Sequence, residues 1–449
     1  MKRFRVGSFV LVLLLIAGAA VAQEQTAVLQ GTVTDASGSA LPGVTVEAVS
    51  ARGQRFSTTS DSSGRYRFPS LPPGSYTVTG TLSGMEPKTI KNVAVSLGSS
   101  PKVDLTLGVA AVAETMTVTA EAPLVDVTSN AAQTSVTAET IEKLPRGRDF
   151  ASLVTIAPSA NDNAKTGGIS IDGATGSENR YIMDGVDTTN PQTGVQGKIL
   201  VTDFVEEVQV KAGGYQAEFG GATGGVINVV TKTGTNDFRG TAGVTYNDRS
   251  WGGDPRPVLQ LGLGSLSSQY EQFTAPKDDN TLIEPGVSLG GPILKDRIWF
   301  YAGYQPWTQT ITRTVNFLNS DRTVRTTRSF DQDFTRNNLL ANLSGAIGSR
   351  FLYKATYNDS GYETDNTLPN VNGRGNENAD YSVNDELENW TASGYADLIA
   401  SPEWFFSARG GRYHRNYSTS PTSNEVDINF LTGSPGATVA GGGRLFPEI

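Results

Sequence analysis

From Arg239 onward the chain repeats one pattern, in which apolar residues fall at every second position. "RGTAGVTYN" places Gly240, Ala242, Val244 and Tyr246 on one face and Arg239, Thr241, Thr245 and Asn247 on the other. "GVSLGGPI" aligns Val287, Leu289, Gly291 and Ile293, and "RIWFYAGYQ" aligns Ile298, Phe300, Ala302 and Tyr304. "NLLANLSGAI" aligns Leu339, Ala341, Leu343 and Ile347. "FLYKATYN" sets Phe351, Tyr353, Ala355 and Tyr357 against Lys354, Thr356 and Asn358. "WTASGYADL" offers Trp390, Ala392, Ala396 and Leu398, and "WFFSARGGRY" continues with Trp404, Phe406 and Ala408. Each run is about nine to eleven residues, the length of a tilted strand that crosses a bilayer. The connections alternate as well: 294–296, 348–349 and 400–402 are short, whereas 248–285, 306–336 and 359–389 are long. Tight turns on one side and long loops on the other are the habit of membrane β-barrels, and a soluble multi-sheet protein is the competing reading. The long connections are acidic and rich in Asn. Asp278, Asp279, Asp331 and Asp333 could hold calcium, but no Asp/Asn array has the spacing of a calcium loop, so the segments read as solvated external loops.

Other features narrow the function. The start "MKRFRVGSFVLVLLLIAGAAVAQEQ" has a basic opening, an apolar stretch through Ile16, and Ala20-Val21-Ala22 as a cleavage pattern. It reads as an export signal over residues 1–22 rather than an uncleaved anchor. No later stretch is apolar for roughly 18 residues, so any membrane crossing is made by strands. A net charge of −9 argues against nucleic acid as a partner. With no cysteine and one histidine, His414, thiolate zinc sites, thiol nucleophiles and histidine triads are excluded. No cofactor, metal site or enzyme activity is expected.

Ahead of the barrel pattern lie three regions. Residues 28–107 hold about seven short alternating runs, among them "LQGTVTD", "GVTVEAV" and "GSYTVTGTL", punctuated by Gly- and Pro-bearing turns such as "DSSGRY" and "LPPGSY". They predict a β-sandwich. Residues 109–124, "VAAVAETMTVTAEAPL" within them, form a β-prone connector. Residues 125–235 predict a mixed α/β domain. "TAETIEKLP" gives a helix with a capping-box start at Thr137 that stops at Pro145, and "GRDFASLVTIAPS" a second short helix. Strands follow in "GISIDG", "RYIMDGVD", "VEEVQVKAG" and "GGVINVVTKTG". Asp184-Gly185 signals a hairpin turn, with an Asp184/Asp187 catalytic or metal pair as the weaker alternative.

Within the last region "EFGGATGGVINVVTKTG" invites a phosphate-loop reading. Lys232 lies seven residues beyond Gly225, past a strand rather than at the opening of a helix, so the spacing fails. Gly220, Gly221, Gly224 and Gly225 read instead as close-packing positions, and Val226 to Thr231 as a strand buried on both faces.

Taken together these segments resemble a known family. "GTVTDASGSALPGVTVEA" through "SDSSGRYRFPSLPPGSYTVT" resembles the carboxypeptidase regulatory-like, transthyretin-type domain, an accessory module related to carbohydrate-binding-like folds. "VTAETIEKLP", "ISIDGATGSENRYIMDGVD", "VEEVQVKAGGYQAEFGGATGGVINVVTKTG" and "FRGTAGVTYN" resemble the plug and first strand of TonB-dependent outer-membrane receptors in the Oar-like or SusC-like arrangement. The resemblance implies a mainly β chain: signal peptide, sandwich at 28–107, linker at 109–124, plug at 125–235 and part of an antiparallel barrel over 239–449. It places the TonB-contact segment at Glu114, Thr115, Met116, Thr117, Val118 and Thr119, although Met116 and Thr117 depart from the more hydrophobic common form. TonB would gain that segment as an added strand. The implied function is energised uptake of a bulky nutrient (glycan, peptide or metal chelate) at the outer membrane of a Gram-negative bacterium, with the sandwich in the periplasm. The implied partners are TonB, outer-membrane lipid and an extracellular ligand, carbohydrate among the candidates. A surface-binding or envelope-organising role is the alternative. Family barrels have about 22 strands, whereas some seven are read here, so the sequence is expected to be a fragment.

Overall fold

The computed structural model describes residues 25–421 except 52, 110–116, 119–131, 145–146, 164–166, 217–218, 262–269, 320–322, 349, 373–376, 380 and 401–403. The expected export signal, and Glu114, Thr115, Met116 and Thr119 of the connector, lie outside the described residues.

Alternation in the first region builds β1 (Ala27–Asp35), β2 (Thr45–Ser50), β3 (Arg55–Thr59), β4 (Arg65–Leu71), β5 (Gly74–Thr81), β6 (Lys88–Val95) and β7 (Leu105–Leu107). They form two facing sheets, ordered β4-β1-β7 and β3-β2-β5-β6. Every second residue points inward, so Leu29, Val33, Val46, Val78 and Leu105 are fully buried between the sheets. Tyr66 is admitted to this core because its hydroxyl donates to the Val103 carbonyl at 2.5 Å. Beyond it, β8 (Thr117–Val118) lies parallel to β6 and extends the second sheet.

The next region is a five-stranded mixed sheet with a separate two-stranded pair. It holds β9 (Ala132–Thr137), the β10 (Ala160–Asp162) and β11 (Ile169–Ile171) pair, β12 (Arg180–Met183), β13 (Val186–Asp187), β14 (Val205–Gly213) and β15 (Val226–Thr231). The five-stranded order is β13-β12-β15-β14-β9, with β15 parallel to β12 and antiparallel to β14. All six residues of β15 are buried, as a centre strand covered on both faces must be. The helix expected after Thr137 spans Ala138–Lys143, but its Thr137 hydroxyl makes no capping bond to the backbone. That hydroxyl faces the Thr140 hydroxyl at 3.2 Å instead. The second expected helix is a single turn, Ala151–Val154. A capping box does occur, at Thr175 and Glu178, around a short 3₁₀ turn.

The alternating runs form a wall. In chain order this region holds β16 (Arg239–Asp248), then β17 (Val258–Leu261) and β18 (Tyr270–Phe273), which form a separate two-stranded sheet, then the wall strands β19 (Asp279–Leu294), β20 (Ile298–Tyr304), β21 (Trp307–Leu318) and β22 (Val324–Arg336). They continue with β23 (Leu339–Ile347), β24 (Phe351–Asp359), β25 (Tyr362–Asp365), β26 (Val383–Ile399) and β27 (Phe405–Pro421). The main order is β16-β19-β20-β23-β24-β26-β27, antiparallel throughout. Val244, Val287, Leu289, Ile293, Leu343 and Leu398 are all exposed on the outer face. A continuous apolar band of this kind is stable only against a membrane or a partner, and the alternation fits lipid. No helix among the described residues is long and apolar enough to cross a membrane. The inner face carries buried polar residues, including Asn342, Lys354, Thr356, Asn389 and Asp397.

The long connections differ from the expectation of plain loops. β21, β22 and β25 continue the sheet beyond the level of the main strands, and the outer end of β19 pairs with β21. Their sequence alternates β-branched Thr and Val with polar residues, which suits an exposed ladder. Thr310 and Thr312 donate across it to Asp333 and Asp331 at 2.7 and 2.6 Å. Asp278 is held by three bonds from Arg313. Of the acidic residues weighed as calcium ligands, Asp278, Asp331 and Asp333 thus stitch this rim together.

Candidate functional site

The mixed domain sits inside the wall, and its seat is built from a few buried polar contacts. Asp184 and Gly185 make the expected hairpin turn, with φ of 44° and 74°, a left-handed pair that suits Asp-Gly. The turn sends the Asp184 carboxylate inward, where it is 2% exposed. There it accepts from Lys354 Nζ at 2.7 Å and from the Thr231 hydroxyl at 2.7 Å. Lys354 projects from the inner face of β24 and is itself buried. Asp187 turns away from Asp184 and pairs with Arg180.

A second contact lies in the loop before β14. Lys198 is buried, and its ammonium donates to the Asn389 carbonyl at 2.8 Å and the Ser360 hydroxyl at 3.2 Å. Burial pulls its pKa down to about 7, against a smaller upward pull from Asp359. The neighbouring Gly197 carbonyl accepts from Asn389 Nδ2 at 2.9 Å and Tyr413 Oη at 2.7 Å. The wall therefore clasps this loop from two strands. Elsewhere Arg148 meets Glu284 at 2.6 Å, and Phe204 packs edge-on against Tyr301. Asp149, next to Arg148, is pushed up to about 6 by burial, partly offset by bonds from Gln196 and the Leu200 and Phe150 amides.

The glycine-rich stretch serves this packing. A Cβ on Gly225 would stand 2.5 Å from the Ile171 side chain, closer than carbon atoms approach. The Gly225 amide donates to Asn179 Oδ1 at 2.8 Å, so its donor is used inside the domain.

At the short-turn end the sandwich joins both the mixed domain and the wall. The Leu97 peptide is gripped from both sides: its N–H donates to the Glu207 carboxylate at 3.2 and 3.3 Å, and its carbonyl accepts from Gln209 Nε2 at 2.5 Å. Burial is the largest cause pushing the Glu207 carboxyl up to about 7, and Glu206 adds to it. A Ser135 bond and the Leu97 amide pull the other way. Asn236 donates to the Gly53 carbonyl at 2.6 Å and to Asp296 at 2.7 Å, and accepts from Trp299 Nε1 at 2.8 Å. Ser70 donates to Asp397 at 2.6 Å, both residues buried.

Of the six residues expected to contact an energy-coupling partner, Thr117 and Val118 are described. They pair in register with Thr89 and Ile90 on β6. Sequence reasoning missed Lys198, Lys354, Glu207 and Asp397. The available signal was a charged residue on the inward face of an otherwise alternating strand, as Lys354 is in "FLYKATYN".

Residues 28–108 match the family model described as carboxypeptidase regulatory-like domain, and residues 126–226 match the TonB-dependent receptor plug domain. The TonB-dependent transporter Oar of Myxococcus xanthus is 35% identical over 336 residues, covering 72% of this chain and 30% of that protein. Among solved structures, the outer membrane transporter YddB from Escherichia coli is 19% identical, with a TM-score of 0.48 over 65% of this chain and 40% of that one. The ferric enterobactin receptor PfeA of Pseudomonas aeruginosa is 15% identical, with a TM-score of 0.42 over 67% and 42%. The chain thus spans less than half the length of each of these proteins.

Proposed function

We propose that this chain, which belongs to the TonB-dependent receptors by its regulatory-like domain, plug and barrel-type wall, serves energised uptake of a bulky nutrient across an outer membrane. The observation that carries the reading is a folded plug sheet seated inside a wall with a lipid-type outer face. Such a conduit is shut, and opening it means withdrawing β15, buried on both sides, from its neighbours. That takes work from outside the molecule. A partner that grips an extended segment of the chain and pulls would supply it.

On this reading the segment Glu114, Thr115, Met116, Thr117, Val118 and Thr119 is taken up by TonB as an added strand. The domains divide at 28–107, 109–124, 125–235 and 239–449, with the sandwich on the periplasmic side. The ligand is a glycan, peptide or metal chelate met at the long-connection rim.

Strand addition reads backbone, which sets the test. Binding of the full chain to the periplasmic domain of TonB is measured for the parent, Val118→Ala and Val118→Pro. Because proline removes an N–H and fixes φ, the proline variant should weaken binding at least about tenfold, and alanine about twofold or less. Equal binding by the proline variant sinks the assignment of this segment. A surface-binding role predicts no measurable affinity in any form.

A further inference from the structure

The sandwich does more than hang below the plug. Trp299, Ala346 and Leu352 face inward near the short turns of the wall, and they pack into the same apolar cluster as the sandwich core. Ser70 on β4 bonds to Asp397 on β26, and Gln54 Nε2 donates to the Gly234 carbonyl at 3.3 Å where the plug hands over to the wall. With the Leu97 clasp, the sandwich is thus fixed to plug and wall at once. Between the three lies a cavity of about 320 Å³. Plug and wall contribute Glu206, Ser344 and Lys354 to its lining, and the sandwich contributes Gln54, Pro72 and Tyr76.

We infer that the N-terminal sandwich is a second stopper, which closes the short-turn mouth of the wall behind the plug. The inference rests on the wall being a membrane barrel, as proposed above. A solute that passes the plug would still meet the Ser70–Asp397 contact and the apolar seam around Trp299, so withdrawing the plug alone would not complete a passage. The cavity is wide enough for several water molecules.

The chain has no cysteine, so introduced ones report cleanly. Ser344 is buried, and its hydroxyl has no hydrogen-bond partner in the structure, so Ser344→Cys removes no bond. In the full chain, in outer membranes, this cysteine should react with a membrane-impermeant maleimide at least about tenfold more slowly than a surface cysteine, because reaction requires an opening fluctuation. Adding Ser70→Trp, which forces the sandwich off the wall, should restore fast reaction. Should that variant fold poorly, the pair Ser70→Cys with Asp397→Cys provides the second arm. Its disulfide should form on oxidation and reverse with reductant, and fast labelling in resting membranes or absence of the disulfide overturns the stopper. With TonB and a proton gradient supplied, Ser344→Cys should label faster. If resting protection and the disulfide are both seen but the gradient has no effect, the stopper stands and the energised-transport reading falls.

Discussion

Lys354 and Asp184 are separated by 170 positions in the chain, and neither declares the other in the sequence. Asp184 reads locally as a turn residue and Lys354 as one polar position on an alternating strand. Each is nearly dry, so the attraction between them competes with the cost of stripping both of water. Removing one partner leaves the other buried without compensation, at a cost of about 3–5 kcal/mol. Lys354→Met should therefore loosen the plug by that order, read as lowered thermal stability and faster proteolysis of residues 126–226 in detergent. The double variant Lys354→Met with Asp184→Leu should recover most of the loss. A single variant as benign as the double would show that the pair does not hold the seat. Such contacts were out of reach of the sequence because alternation gives the face a side chain points to, but not what meets it there.

At the scale of elements, the alternating runs were legible because period two leaves one physical solution for each strand. β1, β5 and the wall strands β19, β20, β23, β24 and β26 put inward the residues the pattern puts inward. β15 was legible by the opposite sign, a run apolar on both faces. The rim strands β21, β22 and β25 were read as loops, since these Thr-, Asn- and Asp-rich segments bury few residues, Val315 and Phe317 of β21 among them. They are strands because they pair with each other and with β19 and β26. The helix cap at Thr137 went wrong for a similar reason: the hydroxyl had another partner in Thr140.

The joint between β14 and the sandwich carries its own pH dependence. Glu207 has a folded-state pKa of about 7, above its ordinary 4.5, so the assembled joint holds a proton that the unfolded chain releases. Stability contributed by protonation is present below about 4.5 and is lost as pH rises through 7. The joint should thus melt at a higher temperature at pH 5 than at pH 8, and Glu207→Gln should flatten that slope. A parent slope of opposite sign would contradict the burial assigned to this carboxyl.

For the whole molecule, the sandwich, plug and wall are successive in sequence yet meet at one end around a shared cavity. The order of domains could be read from composition and turn chemistry, whereas their closure on one another could not, because it rests on contacts such as Ser70 with Asp397 that no local pattern encodes. On the proposed function, work delivered from outside withdraws a plug from a wall that stays folded. Asn228, at the middle of β15 and fully buried, is the position to watch. In living cells carrying the full chain with Asn228→Cys, an impermeant maleimide should label that cysteine only when TonB is present and the inner membrane is energised. Labelling that is absent under energised conditions, or equal with and without the gradient, would contradict the account.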